Sequence, residues 1–362
     1  MSNSASAPAD GARPADSSTT IADPRPLGLP TFSLIAVGVG VITGLGSILF
    51  RDLIGFLHNL LLLGQFSIAY DSSIYTPTSP WGIFVILVPV IGGIGVTFLV
   101  STFAPEARGH GVPEVMDAIY YKEGKIRPVV AITKSLASAL AIGSGSSVGR
   151  EGPIIQIGSS LGSTVGQILP MAVWQRITLV AAGAGAGIAA TFNTPIGGVM
   201  FAIELMLPEV SVRTFLPVAL ATGTATFIAR LFLGLSPAFA VPPLPSLSTS
   251  PISIGTLLLF ALLGAITGLA ATAFIRGLHW SEDAFLKINN QYFRHMVGMF
   301  GVGVLSYILL LEVGHAHVEG VGYATIQDIL VGGLSFAPLL VLLFGCKLLA
   351  TVMSLGSGSS GG

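Results

Sequence analysis

The chain has 362 residues; 52% are hydrophobic, 9% are charged and the formal net charge is −1. Soluble domains carry about 25% charged residues, so a water-soluble globule is excluded and an all-α, polytopic membrane protein in a lipid bilayer is expected. The near-neutral charge without a basic run excludes nucleic acid as a partner, and Cys346, alone in an apolar run, excludes a disulfide scaffold or zinc cluster.

Residues 1–30 are rich in Ala, Pro, Ser, Thr and Asp. They lack the charged stretch and apolar stretch of a signal peptide and read as a disordered cytoplasmic tail. From Thr31 onward apolar segments follow one another. A spanning helix needs about 20 apolar residues, and segments 31–50, 81–103, 215–233, 254–274 and 296–311 are read as spans. Segments 112–121, 129–142, 153–169, 177–190, 195–207 and 337–355 are short or interrupted by Gly and Pro. The continuous apolar runs argue against an outer-membrane barrel. Broken helices are tolerated in a bilayer only where the freed backbone groups are buried in protein or face a polar solute. So many half-length pieces therefore predict a solute site at mid-depth.

Basic residues orient the chain. No Lys or Arg lies between Arg51 and Arg108, which puts loop 66–80 outside, whereas Arg108, Lys122, Lys125 and Arg127 put loop 105–127 inside. Loop 235–253 lacks Lys and Arg and reads as external. Arg276, Lys287 and Arg294 flank an internal connection, and the loop with His315 and His317 reads as external. Arg51 is an exception, close to the expected outer end of the first span.

The same inversion appears in the residues. Gly-Val-Ile-Thr-Gly-Leu at 40–45 recurs as Gly-Ala-Ile-Thr-Gly-Leu at 264–269. Lys134 recurs as Lys347 and, in the same register, Gly-Ser-Gly-Ser-Ser at 143–147 recurs unchanged at 356–360. Gly111-Val112 is paired with Gly320-Val321. The expected organisation is an inverted-topology repeat of broken and tilted helices: residues 31–234 as the first membrane repeat, 235–250 as an external linker, and 251–362 as a second repeat that stops inside the motif the first one completes.

Two stretches carry the chemistry. Residues 143–158 run from a Gly/Ser-rich break through Val148, Gly149, Arg150, Glu151, Gly152 and Pro153 into an apolar helix. Pro favours the first helical turn, whose free N–H groups and dipole make an anion site without any cation. Glu151 lies at this helix start, where its carboxylate can occupy the anion position and be displaced by a diffusing anion; the alternative is a simple cap, or a partner for Arg150. An intramembrane carboxylate is costly, which favours the functional reading. Residues 109–114, Gly-His-Gly-Val-Pro-Glu, form a second Gly-rich turn before a helix, with His110 on the approach. Lys134 either supports an anion electrostatically or snorkels to the cytoplasmic edge. His58, His279 and His295 read as interfacial. No metal-ligand spacing and no cofactor motif is present.

These motifs resemble those of a known family. Gly149 to Pro153 is similar to the GREGP/GKEGP signature of the CLC chloride channels and chloride/proton antiporters, and 109–114 to their GSGIPE motif. The end at 356–362 resembles the lead-in to their third signature, GxFxP. The resemblance implies that Glu151 is the gating glutamate. It implies that the backbone of Gly149, Arg150, Glu151 and Gly152, and that of Gly109, His110, Gly111, Val112 and Pro113, contacts the anion. His110 replaces the family's anion-coordinating serine, and the central-site tyrosine is expected beyond residue 362. The family also implies a homodimer with one pore per subunit, paired through helices in 177–234, in the cell membrane (the inner one in a two-membrane bacterium). In proton-coupled members, segment 201–208 carries adjacent glutamates; Glu204 matches the first, and Leu205 stands where the proton-delivering one is expected. Leu binds no proton, so the expected function is a gated chloride channel that is not an enzyme, with chloride/proton antiport as the alternative. A distant alternative is an intramembrane serine hydrolase, from Gly-x-Ser-x-Gly at 145–149 and Gly-x-Ser-Gly at 358–361.

Overall fold

The computed structural model describes residues 25–235, 241 and 253–362. Most of the expected tail and of the 235–250 linker lies outside these residues. Among them there are twelve α-helices and no strand. The first repeat holds α1 (Leu29–Leu63), α2 (Val88–Phe103, after a 3-10 segment Gly82–Leu87), α3 (Val112–Tyr121), α4 (Val129–Gly143), α5 (Glu151–Ile168), α6 (Val173–Phe192), α7 (Pro195–Phe201) and α8 (Val212–Leu233). The second holds α9 (Ile254–Leu286), α10 (Gln291–Val313), α11 (Tyr323–Leu330) and α12 (Ala337–Ser357).

Six helical segments are long and apolar enough to cross a bilayer. Five match the expected spans. The sixth is α12, expected to be interrupted; Gly345 has open space around its Cα, and the helix runs through it. The first span does not end near Phe50. α1 continues for 35 residues, longer than a bilayer needs, which a tilted helix accommodates. Arg51 therefore sits inside a helix, half-buried, instead of at its end.

Glycine and alanine govern packing around α5 and α6. A side chain at Gly158 would run into the Gly183 carbonyl, one at Gly183 into the Gly158 carbonyl, and one at Gly162 into the Leu179 carbonyl. Small residues let backbones approach closely, which is how membrane helices gain van der Waals contact without a hydrophobic drive. α6 also packs on α8, and α8 on α1, so the first repeat is a closed bundle. α10 lies between the repeats, against α2 and α12.

The repeat is real in three dimensions, with one register corrected. Gly111 and Gly322 each precede a short helix, α3 and α11, with φ of +90° and +88°. Gly109 and Gly320 are also left-handed. The structural equivalents are thus Gly109 with Gly320 and Gly111 with Gly322, not Gly111 with Gly320. Both turns need a positive φ, which glycine adopts without strain.

Candidate functional site at the junction of the repeats

Four Gly-rich connections meet at mid-molecule: 107–111, 144–151, 318–323 and 357–362. Each repeat's inner turn is bonded to the other repeat's Gly/Ser motif. The Gly109 N–H donates to the Ser359 carbonyl at 3.1 Å and the Gly361 N–H to the Gly109 carbonyl at 3.0 Å. The mirror bond runs from the Gly320 N–H to the Ser146 carbonyl, 3.0 Å.

Side chains repeat the exchange. The Ser138 and Ser360 hydroxyls lie 3.0 Å apart, and their equivalents, Thr351 and Ser147, 3.1 Å apart. Ser147 and Ser360, the hydrolase candidates, are therefore structural partners across the junction. Ser360 Oγ also donates to the Ala107 carbonyl.

Each repeat has a lysine below its turn, Lys134 buried and Lys347 half-buried. Lys134 Nζ donates to the carbonyls of Ala107 (3.1 Å) and Gly109 (2.6 Å). Lys347 Nζ donates to those of Val318 (3.1 Å) and Gly320 (2.7 Å). Lys134 is fully buried, so it braces the turn and does not snorkel. An ammonium this far from water must be satisfied by acceptors, and the two carbonyls supply them.

The two expected anion stretches do converge. Gly152 lies under the His110 carbonyl, where any side chain would clash, and Gly111 lies against the Gln156 side chain. Gln156 Nε2 in turn donates to the Glu106 carbonyl at 2.8 Å. Val112 and Pro113 form the first turn of α3, and Glu151 and Gly152 that of α5 behind Arg150. First-turn N–H groups have no intrahelical acceptor, so two positive helix ends meet here. The Gly149 N–H is engaged by the Gly362 carbonyl, and the Gly362 N–H returns to the Gly149 carbonyl at 2.8 Å.

Glu151 is half-buried, and its Oε1 accepts a 2.5 Å hydrogen bond from the Tyr323 hydroxyl. The Arg150 guanidinium lies 5.4 Å from the centre of the Tyr323 ring. Tyr323 had not been singled out in the sequence, although it ends a Gly-Val-Gly-Tyr turn that repeats the Gly-His-Gly-Val turn before α3. Glu204 and Leu205 are both exposed, in the π-helical turn Ala202–Met206 that follows α7. His58 and His295 are buried, not interfacial: His58 Nε2 lies 3.0 Å from Thr76 Oγ1 and His295 Nδ1 2.9 Å from Thr97 Oγ1. His279 is exposed. At the rim, Arg127 clasps both carboxylate oxygens of Glu106 (2.7 and 2.6 Å) and holds that carboxyl below its ordinary pKa.

Chemically, this arrangement sets a carboxylate at an anion-favouring helix end, held by a hydroxyl that can release it. Residues 92–362 match the family described as Voltage gated chloride channel. The chain is 32% identical over 339 residues to the H(+)/Cl(-) exchange transporter ClcA of Yersinia pseudotuberculosis, covering 91% of this chain and 67% of that protein. It is 35% identical over 276 residues to ClcA of Vibrio parahaemolyticus, covering 73% and 56%. The crystal structure of a slow cyanobacterial Cl-/H+ antiporter superposes with TM-score 0.73 at 25% identity, over 92% of this chain and 75% of the other. A CLC-type fluoride/proton antiporter shares the fold, with TM-score 0.74 at 23% identity, over 92% and 77%.

Proposed function

The chain belongs to the CLC (voltage gated chloride channel) family, and we propose that it is a chloride/proton exchanger of the cell membrane with Glu151 as its gate. This replaces the channel expected from Leu205. The similar proteins named above are exchange transporters. Leu205 removes one carboxyl from one segment, which argues only about the inner end of a proton route.

The observation that carries the reading is Glu151 itself, a carboxylate at the start of α5 beside the turn before α3. Ionised, it competes with chloride for the positive helix ends. Protonated, it loses the charge that holds it there, and the Tyr323 hydroxyl is its exchangeable partner. One group thus alternates between chloride's site and a proton, which couples the two fluxes. In this reading, backbone groups of 109–113 and 150–152 cradle the anion, and the subunit works as a homodimer with one pathway each.

The test is the reversal potential of the reconstituted protein at fixed chloride concentrations. An exchanger's potential shifts when a proton gradient is imposed; one that follows chloride alone would return the protein to the channel class. His110 is the second variable. If its ring meets the anion, His110→Ser changes chloride affinity in calorimetric titrations, and an unchanged affinity removes His110 from the site.

A further inference from the structure

A cavity of about 40 Å³ lies between the 64–81 connection and the 314–325 connection, bordered by His58, Tyr70, Thr76, Glu319, Tyr323 and Thr325. Its volume admits a water molecule or two. Tyr323 is common to this cavity and to the gate, because its hydroxyl bonds Glu151.

Glu319 stands where the first repeat has Arg108, between two carbonyls held by a lysine. Its Oε1 accepts from Ser306 Oγ at 3.1 Å, the Thr76 hydroxyl also faces the carboxylate, and its Oε2 is buried with no partner at full hydrogen-bond geometry. An intramembrane carboxylate with an unbonded oxygen beside a water-sized cavity is costly unless it has a use. The exchange reading assigns Glu319 no part.

We propose that Glu319 and Tyr323 form the outer leg of the proton route, carrying protons between Glu151 and the solution on the loop 66–80 side. The inference rests on the exchange reading for its proton flux. When Glu151 is protonated, its proton passes to the Tyr323 oxygen as Tyr323 gives its own to a cavity water. That water gives one proton to Glu319 Oε2. At the Tyr323 and water oxygens one O–H bond breaks as another forms, so the net change is one O–H bond lost at Glu151 and one gained at Glu319.

Other titratable groups facing Glu319 shape the transfer without replacing it. Lys347 acts electrostatically on both Glu319 and Glu151. Its ammonium is equally committed to two carbonyls, so it favours charge on either carboxylate. Tyr70 lies within electrostatic reach from the 64–81 connection. His58 borders the cavity with its Nε2 on Thr76, and His317 borders it with Nδ1 on Thr325 and a buried, unbonded Nε2. Arg150 lies over the Tyr323 ring and acts electrostatically on Tyr323 and Tyr70.

The test uses the protein in liposomes, with chloride and proton fluxes recorded together and external pH varied at constant internal pH. Glu319→Gln is expected to cut proton flux on the order of tenfold and to flatten the external-pH dependence of chloride flux. Glu319→Asp, which keeps a carboxyl, is expected to recover most of both. Tyr323→Phe is expected to behave as Glu319→Gln and serves if that variant does not fold. Wild-type proton flux and wild-type external-pH dependence in either folded variant would overturn the relay. If the wild type itself moves chloride without protons, the exchange reading fails, and the external-pH dependence of the two variants alone decides whether Glu319 and Tyr323 connect Glu151 to the outside.

Discussion

The helices that open the two repeats, α1 and α9, carry nearly the same hexapeptide and meet opposite surroundings. In α1, a Cβ at Gly40 would approach the Ala221 carbonyl oxygen to 2.5 Å, and one at Gly44 would touch Ile228 and Ala225, because α8 lies directly against this stripe. In α9 the equivalent Gly264 and Gly268 have nothing within 4 Å. α9 packs chiefly on α12, and its most apolar stretch is unburied among the described residues. The central turns behave in the opposite way, since their lysine braces and serine pairs agree closely between the repeats. A glycine stripe is a potential interface that becomes real only where a helix lies on it, whereas a turn that binds its own lysine and the other repeat's serine carries its partners within the repeat pattern.

The largest expected effect breaks the helix comparison. Gly40→Leu must push α1 off α8 and should cost on the order of 3 kcal/mol or prevent folding, while Gly264→Leu in α9 should stay within about 0.5 kcal/mol. Thermal unfolding in detergent, followed by size-exclusion chromatography, checks both. Equal losses would mean that α9 is covered as α1 is.

Next come the lysines. Lys134→Met removes two charge-assisted hydrogen bonds from carbonyls that each keep one other donor, the Ser360 hydroxyl on Ala107 and the Gly361 N–H on Gly109, and should cost about 2 kcal/mol. Lys347→Met should cost less, because Lys347 is only half-buried overall. The same unfolding assay ranks them, and a larger loss at Lys347 would reverse the comparison.

The serine pairs sharpen it further. Double-mutant cycles on Ser138 with Ser360, and on Ser147 with Thr351, should each return a coupling of about 1 kcal/mol. Additive single-mutant effects in either cycle would show that the exchange of bonds across the junction is not symmetric.

The smallest effect belongs to a feature of the first repeat alone. Glu106 has its pKa lowered by the Arg127 fork, and both side chains are largely exposed. A carboxyl with a depressed folded-state pKa contributes stability present above the unfolded value near ~4.3 and lost as pH falls through the folded one. Glu106→Gln should therefore change little at acid pH and lower stability slightly at neutral pH. Unfolding temperatures at pH 3 and pH 7 check this, and a loss confined to acid pH would contradict it.

Much of the site was readable because its parts are local. Glu151, Gly152 and Pro153 announce a helix start by their own chemistry, and the Gly/Ser pentapeptide recurs without change, so motif and repeat could be identified residue by residue. Glu319 and Gln156 were missed because nothing beside them in the chain marks them, and Tyr323 because the repeated turn before it marks a helix start but not a hydroxyl partner. Tyr323 acquires its role from Glu151, 172 positions away. Lys134 was ambiguous for a related reason: an isolated lysine in an apolar run can snorkel or brace, and only the position of the Ala107 and Gly109 carbonyls decides.

The sequence by itself determined a polytopic helical chain, five of its six long apolar segments apart from the end of α1, the repeat, and the carboxylate at the start of α5. Those follow from composition, hydropathy and helix-end chemistry, which act over a few turns. Only the tertiary structure decided the register of the two central turns, the exchange of serine and backbone bonds between repeats, which glycines are pressed by a neighbour, and the Tyr323 hydroxyl on Glu151. The reason is physical: in a bilayer the gain comes from close packing and hydrogen bonds between distant segments, and no local pattern of residues encodes which segment will arrive.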